Sequence, residues 1–379
     1  VQSTQKPTIV SSTLTWEKVT TLDLGLDARF FNDALGVTFD WYNRTTSDIL
    51  TTANLPATLG ADAPYENMGT IQTKGWELAI DYRHTFKNGL HFGVTASVAD
   101  DKTEVTKWTY NTKIPSYGAT GWWDKSAYKE GMVLGDIWGL QFDRFLTEDD
   151  FNADGSLKAG LPDQTKVFPA GYQFAPGDVL YKDLDNNGEI VKQTNTNDKG
   201  DLSVIGNALP RLQFGLNLDA AWKGFDISMF FQGVAKRKLW AAGNQVLPGF
   251  TTGEPFYKGA EDYWTPENTD AFYPRPMDYQ QSASGNYSVN DRYLLNMAYL
   301  RLKTFTVGYS LPKVWLSKFK VQGLRVYFTG ENLFTIDGVK PAIDPEIGIR
   351  TASGKSDQRN FGRSYPYQKT VSFGIQLSL

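Results

Sequence analysis

The chain has 379 residues, of which 41% are hydrophobic and 14% aromatic, and its formal net charge is -4. It contains no run of about 18 apolar residues, which excludes transmembrane helices, and no basic block, which argues against a nucleic-acid partner. Because it contains no cysteine, disulfide frameworks and thiolate metal sites are excluded as well.

The first third of the chain predicts two β-hairpins. Residues 1–13 are rich in Ser and Thr and carry no pattern, and strand-like sequence begins at Trp16. Apolar and polar residues alternate in 21–31, 35–42, 76–82 and 90–98, and residues 50–69 are loop-like. Successive side chains of a strand point to opposite faces, so each arm has one apolar and one polar face. Short turns near 32–34 and 87–89 join the arms into hairpins.

Regular alternation largely stops between residues 99 and 207. An unstructured loop of this length would be unusual, so the segment is predicted to have a small fold of its own. Residues 132–145 contain strand-like side chains such as Ile137 and Phe142. A single crossing of the main sheet there would break the alternation of strand directions, so these residues are assigned to the same small fold.

The clearest hairpin covers residues 212–232. Every even position from Leu212 to Trp222 is apolar, and after the turn at Lys223 and Gly224 the alternation resumes at Phe225. Roughly 9–11 residues are needed for a tilted strand to cross a bilayer, and unbroken alternation over that length is typical of membrane barrels. Further strands are predicted around 305–311, 324–328 and 371–379.

The connections alternate between short and long, as in outer-membrane barrels. The short ones lie near 32–34, 87–89, 223–224 and 312–322, and the long ones at 50–69, 99–207, 237–297 and 336–366. The predicted fold is all-β: a transmembrane antiparallel β-barrel portion of about nine strands, the C-terminal part of a larger plugged barrel, because an odd sheet would leave open edges. Its parts are barrel strands at 1–98, a large extracellular subdomain at 99–208, and C-terminal strands at 209–379 with extracellular loops at 237–297 and 336–366.

Several short motifs, in this order along the chain, resemble the C-terminal barrel half of the SusC/RagA-type TonB-dependent outer-membrane transporters of Bacteroidetes. The motifs are Leu14-Thr15-Trp16-Glu17, Lys74-Gly75-Trp76-Glu77-Leu78, Ile205-Gly206-Asn207, Phe225-Asp226-Ile227-Ser228, Phe231-Gln232-Gly233, Tyr263-Trp264-Thr265-Pro266-Glu267-Asn268, Tyr273-Pro274-Arg275, Tyr299-Leu300-Arg301-Leu302-Lys303, Gly308-Tyr309-Ser310-Leu311-Pro312, Leu324-Arg325-Val326-Tyr327, Glu331-Asn332-Leu333-Phe334, Asp344-Pro345-Glu346 and Tyr365-Pro366. Each motif is weak alone, but the ordered set covers nearly the whole chain. The chain departs from the family pattern in lacking the plug domain and in ending in Leu379, where an aromatic residue is more common.

The resemblance implies import of oligosaccharides or oligopeptides across a Gram-negative, Bacteroidetes-like outer membrane, with no enzymatic step. Import would be driven by TonB through the absent plug region, and a SusD-like surface lipoprotein would cover the external loops, with outer-membrane lipid around the strands. The alternative is a secreted β-rich glycan-binding or glycan-cleaving module. In such a module the apolar faces would turn inward against each other.

Residues 183–189 have the spacing of an EF-hand-like loop. Asp183, Asp185 and Asn187 stand at its first, third and fifth positions, Gly188 allows the sharp turn, and Glu189 offers its carbonyl oxygen. Hard cations such as calcium prefer this all-oxygen ligand set. The spacing therefore predicts a calcium site, whereas the alternative is an Asx-rich turn without an ion.

The closing acid of that loop is displaced. Thr194 stands where an EF-hand has its last carboxylate. In the family that the chain resembles, the equivalent acid precedes the Ile-Gly-Asn motif. By this resemblance, Asp201 completes the calcium site together with the loop residues.

Aromatic residues in the predicted external loops are candidate ligand contacts. Trp122, Trp123, Trp240, Tyr263 and Trp264 are placed where they can stack on sugar rings or grip peptide side chains. The alternative is that they pack the loops together or meet a partner protein. No nucleophile elbow, phosphate loop or His-rich metal motif occurs, so no catalytic residue is predicted.

Overall fold

Thirteen separate parts of the chain are described by the computed structural model, and most of the long strands lie wholly within them. The described residues are 11–52, 64–109, 128–192, 199–241, 243–250, 256–277, 285–319, 321–340, 343–346, 351–352, 355–356, 365 and 367–378. No helix among them is long and apolar enough to cross a membrane.

The described residues form seventeen strands and one α-helix. The strands are β1 (Lys18–Phe30), β2 (Leu35–Thr52), β3 (Tyr65–Thr85), β4 (His91–Trp108), β5 (Asp136–Gly139), β6 (Phe142–Phe145), β7 (Val179–Tyr181), β8 (Ser203–Asn207), β9 (Arg211–Trp222), β10 (Phe225–Lys236), β11 (Lys238–Leu239), β12 (Leu295–Asn296), β13 (Tyr299–Ser310), β14 (Gly323–Asp337), β15 (Thr351–Ala352), β16 (Lys355–Ser356) and β17 (Thr370–Ser378). The helix α1 covers Lys313–Leu316, and 3-10 turns cover Glu148–Asp150 and Ser317–Phe319.

Nine strands form one sheet in the order β1-β2-β3-β4-β9-β10-β13-β14-β17. Every neighbouring pair is antiparallel, so the predicted nine-stranded all-β fold is confirmed. The sheet is open within the described part of the chain, since β1 and β17 each pair on one side only. The remaining strands form separate two-stranded sheets, β5-β8, β6-β7, β11-β12 and β15-β16.

Four tight connections lie at one end of the large sheet, as the alternation of loop lengths predicts. In the turn between β9 and β10, Lys223 and Gly224 both have positive φ angles, 49 and 91 degrees. Two consecutive residues of this kind give the hairpin turn whose twist matches the twist of the strands. The last tight connection, between β13 and β14, contains α1.

Three strands extend beyond their predicted bounds. The predicted loop at 50–69 is too long, because β2 reaches Thr52 and β3 begins at Tyr65. Strand β4 continues to Trp108, past residue 98 where the alternation ends. Its outer part is a hydrogen-bonded ladder of polar residues, in which the hydroxyls of Thr73 and Thr103 lie 2.8 Å apart. Apolar periodicity cannot reveal such a ladder, because most of its residues are polar and its two buried apolar residues, Val105 and Trp108, lie three positions apart, which breaks the period of two.

The two faces of the sheet differ in polarity across every strand. On one face, apolar residues stand side by side from strand to strand, as in the row Val94, Leu218, Met229 and Phe305. Many of these side chains are uncovered, and Phe373 is 83% exposed. An apolar band of this kind is the lipid-contacting surface of a membrane barrel. The alternative of a secreted sandwich is wrong, because among the described residues no second sheet packs on this face.

The opposite face is polar and encloses a hollow of about 520 Å³. Its lining includes Thr38, Asp40, Glu77, Thr95 and Asn217. Asn217 is thus on the face opposite to its neighbours Leu216 and Leu218, as the alternation predicts. The hollow side corresponds to the lumen of the barrel.

Ion pairs on the lumen face cross over glycine residues of intervening strands. Arg29 on β1 binds Asp81 on β3 at 2.8 Å, and Gly36 of β2 lies between them in register. A Cβ atom added at Gly36 would collide with both charged side chains. The glycine therefore clears the path for a contact that links three strands.

Arg325 and Asp226 repeat this arrangement further along the sheet. The guanidinium of Arg325 on β14 donates two hydrogen bonds, of 3.0 and 2.5 Å, to Asp226 on β10. Gly308 of β13 lies between them, and a Cβ there would lie 2.5 Å from Arg325 Nη2. A two-pronged contact of this geometry is more specific and stronger than a single hydrogen bond.

Two of the three hydrophobic cores of the described residues lie in the long loops. One core includes Ile137, Leu239, Trp240 and Met297, and a second combines residues from 140–202 with Trp264 and Ala271. Residues of the 99–208 segment therefore pack together with residues of the 237–297 loop. We refer to this packed unit, residues 128–192, 199–208 and 237–297 as far as they are described, as the extracellular subdomain, after the position that the sequence analysis predicts for these loops.

The third core joins the sheet to this unit. Ile49 of β2 and Val105 and Trp108 of β4 pack against Tyr128 and Met132.

Asp178 is the polar centre of the extracellular subdomain. It is fully buried and accepts hydrogen bonds from Arg275 Nε at 2.7 Å, the Tyr172 hydroxyl at 2.8 Å and Asn286 Nδ2 at 2.9 Å. Burial, together with the charge of Asp178, raises the pKa of Tyr172. Because a buried charge needs such partners, the network fixes the 172–178 segment onto the second long loop.

The polarity of the two faces predicts a contrast between adjacent substitutions. In the full-length protein, Leu216→Arg places a charge in the apolar band and is expected to cost about 2–4 kcal/mol of folding free energy. Asn217→Arg, the matched control on the lumen face, is expected to cost much less. Urea titration of folding into phospholipid vesicles measures both, and equal costs would contradict the assignment of the faces.

A second prediction concerns Asp150, which is 9% exposed and accepts hydrogen bonds from Arg144 at 2.5 and 2.7 Å. These bonds lower the pKa of Asp150 to about 2. The stabilisation is therefore complete above the usual aspartate pKa of about 4 and is lost as the pH falls towards about 2. Asp150→Asn is expected to destabilise the loop by about 1.5–3 kcal/mol at neutral pH.

The readout is limited proteolysis of the full-length protein, with pepsin between pH 4 and pH 2 and with trypsin at pH 7. The wild type should become sensitive to pepsin near residues 144–150 as the pH falls, whereas Asp150→Asn should already be sensitive to trypsin at pH 7. Asp149→Asn, a change at an exposed neighbour, is the control and should behave as wild type. Sensitivity of Asp149→Asn equal to that of Asp150→Asn would show that the ion pair is not the cause.

Candidate functional site

The EF-hand-like loop is held by hydrogen bonds between its side chains and its own backbone. Asp183 Oδ2 accepts from the Gly188 amide at 2.8 Å, and Asn187 Oδ1 accepts from the Glu189 amide at 2.7 Å. Asn186 and Gly188 have positive φ angles, 58 and 85 degrees. The loop thus turns sharply around a point to which its polar side chains converge.

Asp201 lies beside this loop although it is distant in sequence. It is fully buried, and its two oxygens accept hydrogen bonds from the amides of Leu184 and Val191, both at 2.8 Å. One carboxylate oxygen each from Asp183, Asp185 and Asp201 can be chosen such that all lie within 4.8 Å of one another. The structure therefore brings together the three carboxylates that the sequence and the resemblance assign to one site.

The electrostatics of this cluster fit a hard cation. Asp183 Oδ1 is buried and has no hydrogen-bond partner among the described residues. Desolvation raises the pKa of Asp185, and Asp183 contributes to the rise, whereas the Gly188 amide lowers the pKa of Asp183. An orphan carboxylate oxygen next to two further carboxylates is what an oxygen-preferring cation ligates.

Two of the predicted calcium ligands, Glu189 and Asn187, also form contacts with other side chains. The Glu189 carboxylate forms an ion pair with Lys166, which leaves the carbonyl oxygen that the sequence assigns to the ion. Asn187 Nδ2 donates to Asp185 Oδ2 at 3.0 Å, and this contact orients the amide oxygen away from Asp185. The donor set therefore fits calcium, with the three carboxylates as its strongest part.

The structure corrects two of the predicted ligand contacts. Trp240 and Trp264 are only 3% and 7% exposed, and they pack in the first and second core of the extracellular subdomain. Neither ring has a face available for a ligand in this arrangement, because distant loop segments cover both. Trp122 and Trp123 lie outside the described residues.

Tyr263, in contrast, is 40% exposed and lines a cleft of about 630 Å³ between segments of the second long loop. The cleft is rich in aromatic and proline side chains, with one acid and one base. The lining residues are Pro248, Phe256, Tyr257, Lys258, Ala260, Glu261, Tyr263, Tyr273, Pro274, Pro276 and Tyr287. The sequence analysis missed Phe256 and the three prolines. The Tyr-Pro-Arg-Pro run at 273–276 was an available signal for two of the prolines, Pro274 and Pro276.

A buried ion cluster ties a third loop to the barrel wall. Arg301 of β13 is 3% exposed and binds Asp344 at 2.8 Å, while its Nη1 lies 2.9 Å from Glu346 without hydrogen-bond geometry. Lys303 also reaches Glu346, at 2.9 Å, and the Tyr367 ring lies 4.9 Å from the Lys303 ammonium. The cluster is structural in this arrangement, because its charges are paired with one another.

Comparison with known proteins agrees with this geometry. Residues 2–333 match the family model described as TonB dependent receptor-like, beta-barrel. Among curated relatives, TonB-dependent receptor P3 of Formosa agariphila is 28% identical over 96% of this chain and 34% of its own length. TonB-dependent receptor SusC of Bacteroides thetaiotaomicron is 24% identical over 100% of this chain and 33% of its own length.

The fold also matches a solved structure described as the RagAB peptide transporter. The TM-score is 0.66 at 20% sequence identity, over 97% of this chain and 36% of the other. At this identity the match shows the fold alone, and the chain spans about a third of the length of its relatives. On the family match and the nine-stranded sheet, the chain belongs to the TonB-dependent receptor-like β-barrel family.

Proposed function

We propose that the protein to which these strands belong imports oligosaccharides or oligopeptides through the outer membrane, driven by TonB and assisted by a SusD-like surface lipoprotein. One observation carries the proposal: nine antiparallel strands present a continuous apolar band on one face and a polar hollow on the other. A wall of this kind separates lipid from an aqueous lumen. Such a wall allows a ligand to pass through the lumen, and this passage requires no chemical reaction.

The arrangement of the loops supports capture of a ligand on the extracellular side. The extracellular subdomain has hydrophobic cores of its own, so it offers a firm surface and not a set of loose loops. The cleft at Tyr263 opens on this subdomain, and its aromatic rings suit either sugar rings or peptide side chains. A lipoprotein seated over the subdomain would enclose a ligand held there, before the TonB-linked plug region moves.

The two ligand classes are not separated by the comparisons. The RagAB relative is described as a peptide transporter, which favours peptides, but the likeness extends to the fold only. Oligosaccharides follow from the resemblance to the SusC type. The experiment on the purified receptor therefore looks for a bound oligosaccharide and for a bound oligopeptide as two separate outcomes.

The proposal is tested on the full-length receptor, purified from its native outer membrane in mild detergent. Mass spectrometry is expected to find a co-purifying surface lipoprotein and a bound oligosaccharide or oligopeptide. Deletion of the receptor gene or of tonB should abolish uptake of that ligand by cells. Purification without lipoprotein or ligand, together with unchanged uptake in the deletion strains, would refute the proposed function.

The cleft is tested by Tyr263→Ala in the same receptor. Loss of one stacking ring is expected to weaken binding of the identified ligand about 2- to 12-fold, which corresponds to about 0.5–1.5 kcal/mol. Tyr65→Ala removes an exposed ring that does not line the cleft and should leave the affinity unchanged. Isothermal titration calorimetry measures both variants, and equal affinities for them would exclude Tyr263 from the ligand site.

We also propose that a structural calcium ion binds Asp183, Asp185, Asn187, the Glu189 carbonyl oxygen and Asp201. The clustered carboxylates and the orphan Asp183 oxygen support it. Elemental analysis of the receptor equilibrated with calcium should show one ion fewer in Asp183→Asn than in wild type, and terbium luminescence should fall in parallel. Asp143→Asn, a change at an exposed acid elsewhere in the subdomain, should keep the ion. Equal metal content in all three proteins would contradict the site.

A further inference from the structure

The turn between β13 and β14 is unlike a simple hairpin, because it contains a short helix with two uncovered apolar side chains. Val314 is 76% exposed and Trp315 is 61% exposed, whereas Leu316 on the other side of α1 is buried at 5%. The two sides of the helix therefore differ in burial. Leu316 packs against the barrel, whereas Val314 and Trp315 on the other side are exposed.

The turn continues the apolar band of the sheet. The Leu311 amide donates to the Leu324 carbonyl, and the Gln322 amide to the Ser378 carbonyl, both at 2.9 Å. These bonds join the turn to β14 and β17 next to the apolar row Tyr309, Val326 and Ile375. Because this row belongs to the lipid-contacting band, we expect the side chains of the turn next to it to contact lipid as well.

The other tight turns at this end of the sheet also carry exposed aromatic rings. Phe31, Phe86 and Trp222 are 76%, 45% and 43% exposed. The Lys223 ammonium lies 4.4 Å from the Trp222 ring centre, and Lys87 follows Phe86 directly. Aromatic rings beside lysines mark the level of the lipid headgroups in membrane proteins.

We propose that the described part of the turn around α1, residues 311–319, inserts into the phospholipid leaflet at the tight-turn end of the barrel. Val314 and Trp315 lie among the upper acyl chains, and Lys313 and Lys318 bind the phosphates of anionic phospholipids. Three observations favour lipid as the occupant of this surface: continuity with the apolar band, the pairing of exposed rings with lysines, and the exposed aromatic rings of the other turns at the same end of the sheet. The inference rests on the barrel fold and is independent of the imported ligand.

The first test measures depth in the membrane with a nitroxide label. The chain has no cysteine, so after replacement of any cysteine elsewhere in the full-length receptor, Val314→Cys and Trp315→Cys are labelled singly. The receptor is placed in nanodiscs of phosphatidylethanolamine and phosphatidylglycerol. Asp154→Cys, in an exposed turn of the extracellular subdomain, is the aqueous control.

A label in lipid is accessible to oxygen and protected from a water-soluble nickel chelate, and this result is expected at both turn positions. Chelate access equal to that of the Asp154 label would place the turn in water and overturn the proposal. Protection from both reagents would show that protein covers the turn, which would overturn it as well.

The second test addresses the headgroups. Native mass spectrometry of the receptor titrated with phosphatidylglycerol is expected to show roughly fivefold weaker binding for each lysine removed in Lys313→Gln and Lys318→Gln. Lys158→Gln, in the extracellular subdomain, should bind as the wild type. Unchanged phosphatidylglycerol binding in the double variant would overturn the headgroup contact, even with the labels in lipid.

Discussion

The structure depends on one constraint: inside a bilayer every backbone amide and carbonyl must find its partner within the protein. Nine strands meet this constraint by pairing in chain order, so each interior strand is satisfied on both sides. Side chains are then free to sort by face, apolar towards lipid and polar towards the lumen. The glycines at positions 36 and 308 follow from the same constraint, because the lumen face must accommodate long charged side chains above an unbroken ladder.

Apolar residues have opposite roles in the two parts of the molecule. In the strands, residues such as Leu26 and Phe373 are exposed, because lipid takes the place of a protein core. In the loops, Leu140 and Trp240 are buried, because the surroundings there are aqueous. Stability of the barrel strands and stability of the extracellular subdomain therefore have largely different origins, and the two are coupled where Val105 and Trp108 of β4 pack against Tyr128 and Met132.

The different roles of apolar residues in the strands and in the loops explain which features of the fold could be predicted from the sequence and which could not. Alternation located the strands and the tight turns, because it reports directly which face a residue occupies. It could not locate the end of β4 at Trp108, where most residues are polar and the buried Val105 and Trp108 lie three positions apart. It also could not predict the burial of Trp240 and Trp264, which depends on segments far away in the chain. Asp201 was assigned to the cation loop by family resemblance, since no spacing rule links it to Asp183 across the intervening segment.

Asp201 links the EF-hand-like loop at 183–189 to the part of the chain that leads into the barrel strands. Its carboxylate holds the amides of Leu184 and Val191, and Ile190 and Leu202 on either side belong to the second core. Strand β8 begins two residues later, at Ser203, and leads almost directly into β9 of the barrel wall. A cation held by the three carboxylates would remove their mutual repulsion and would stiffen the junction between subdomain and wall. The loop is thus placed to set the orientation of the extracellular subdomain relative to the barrel strands.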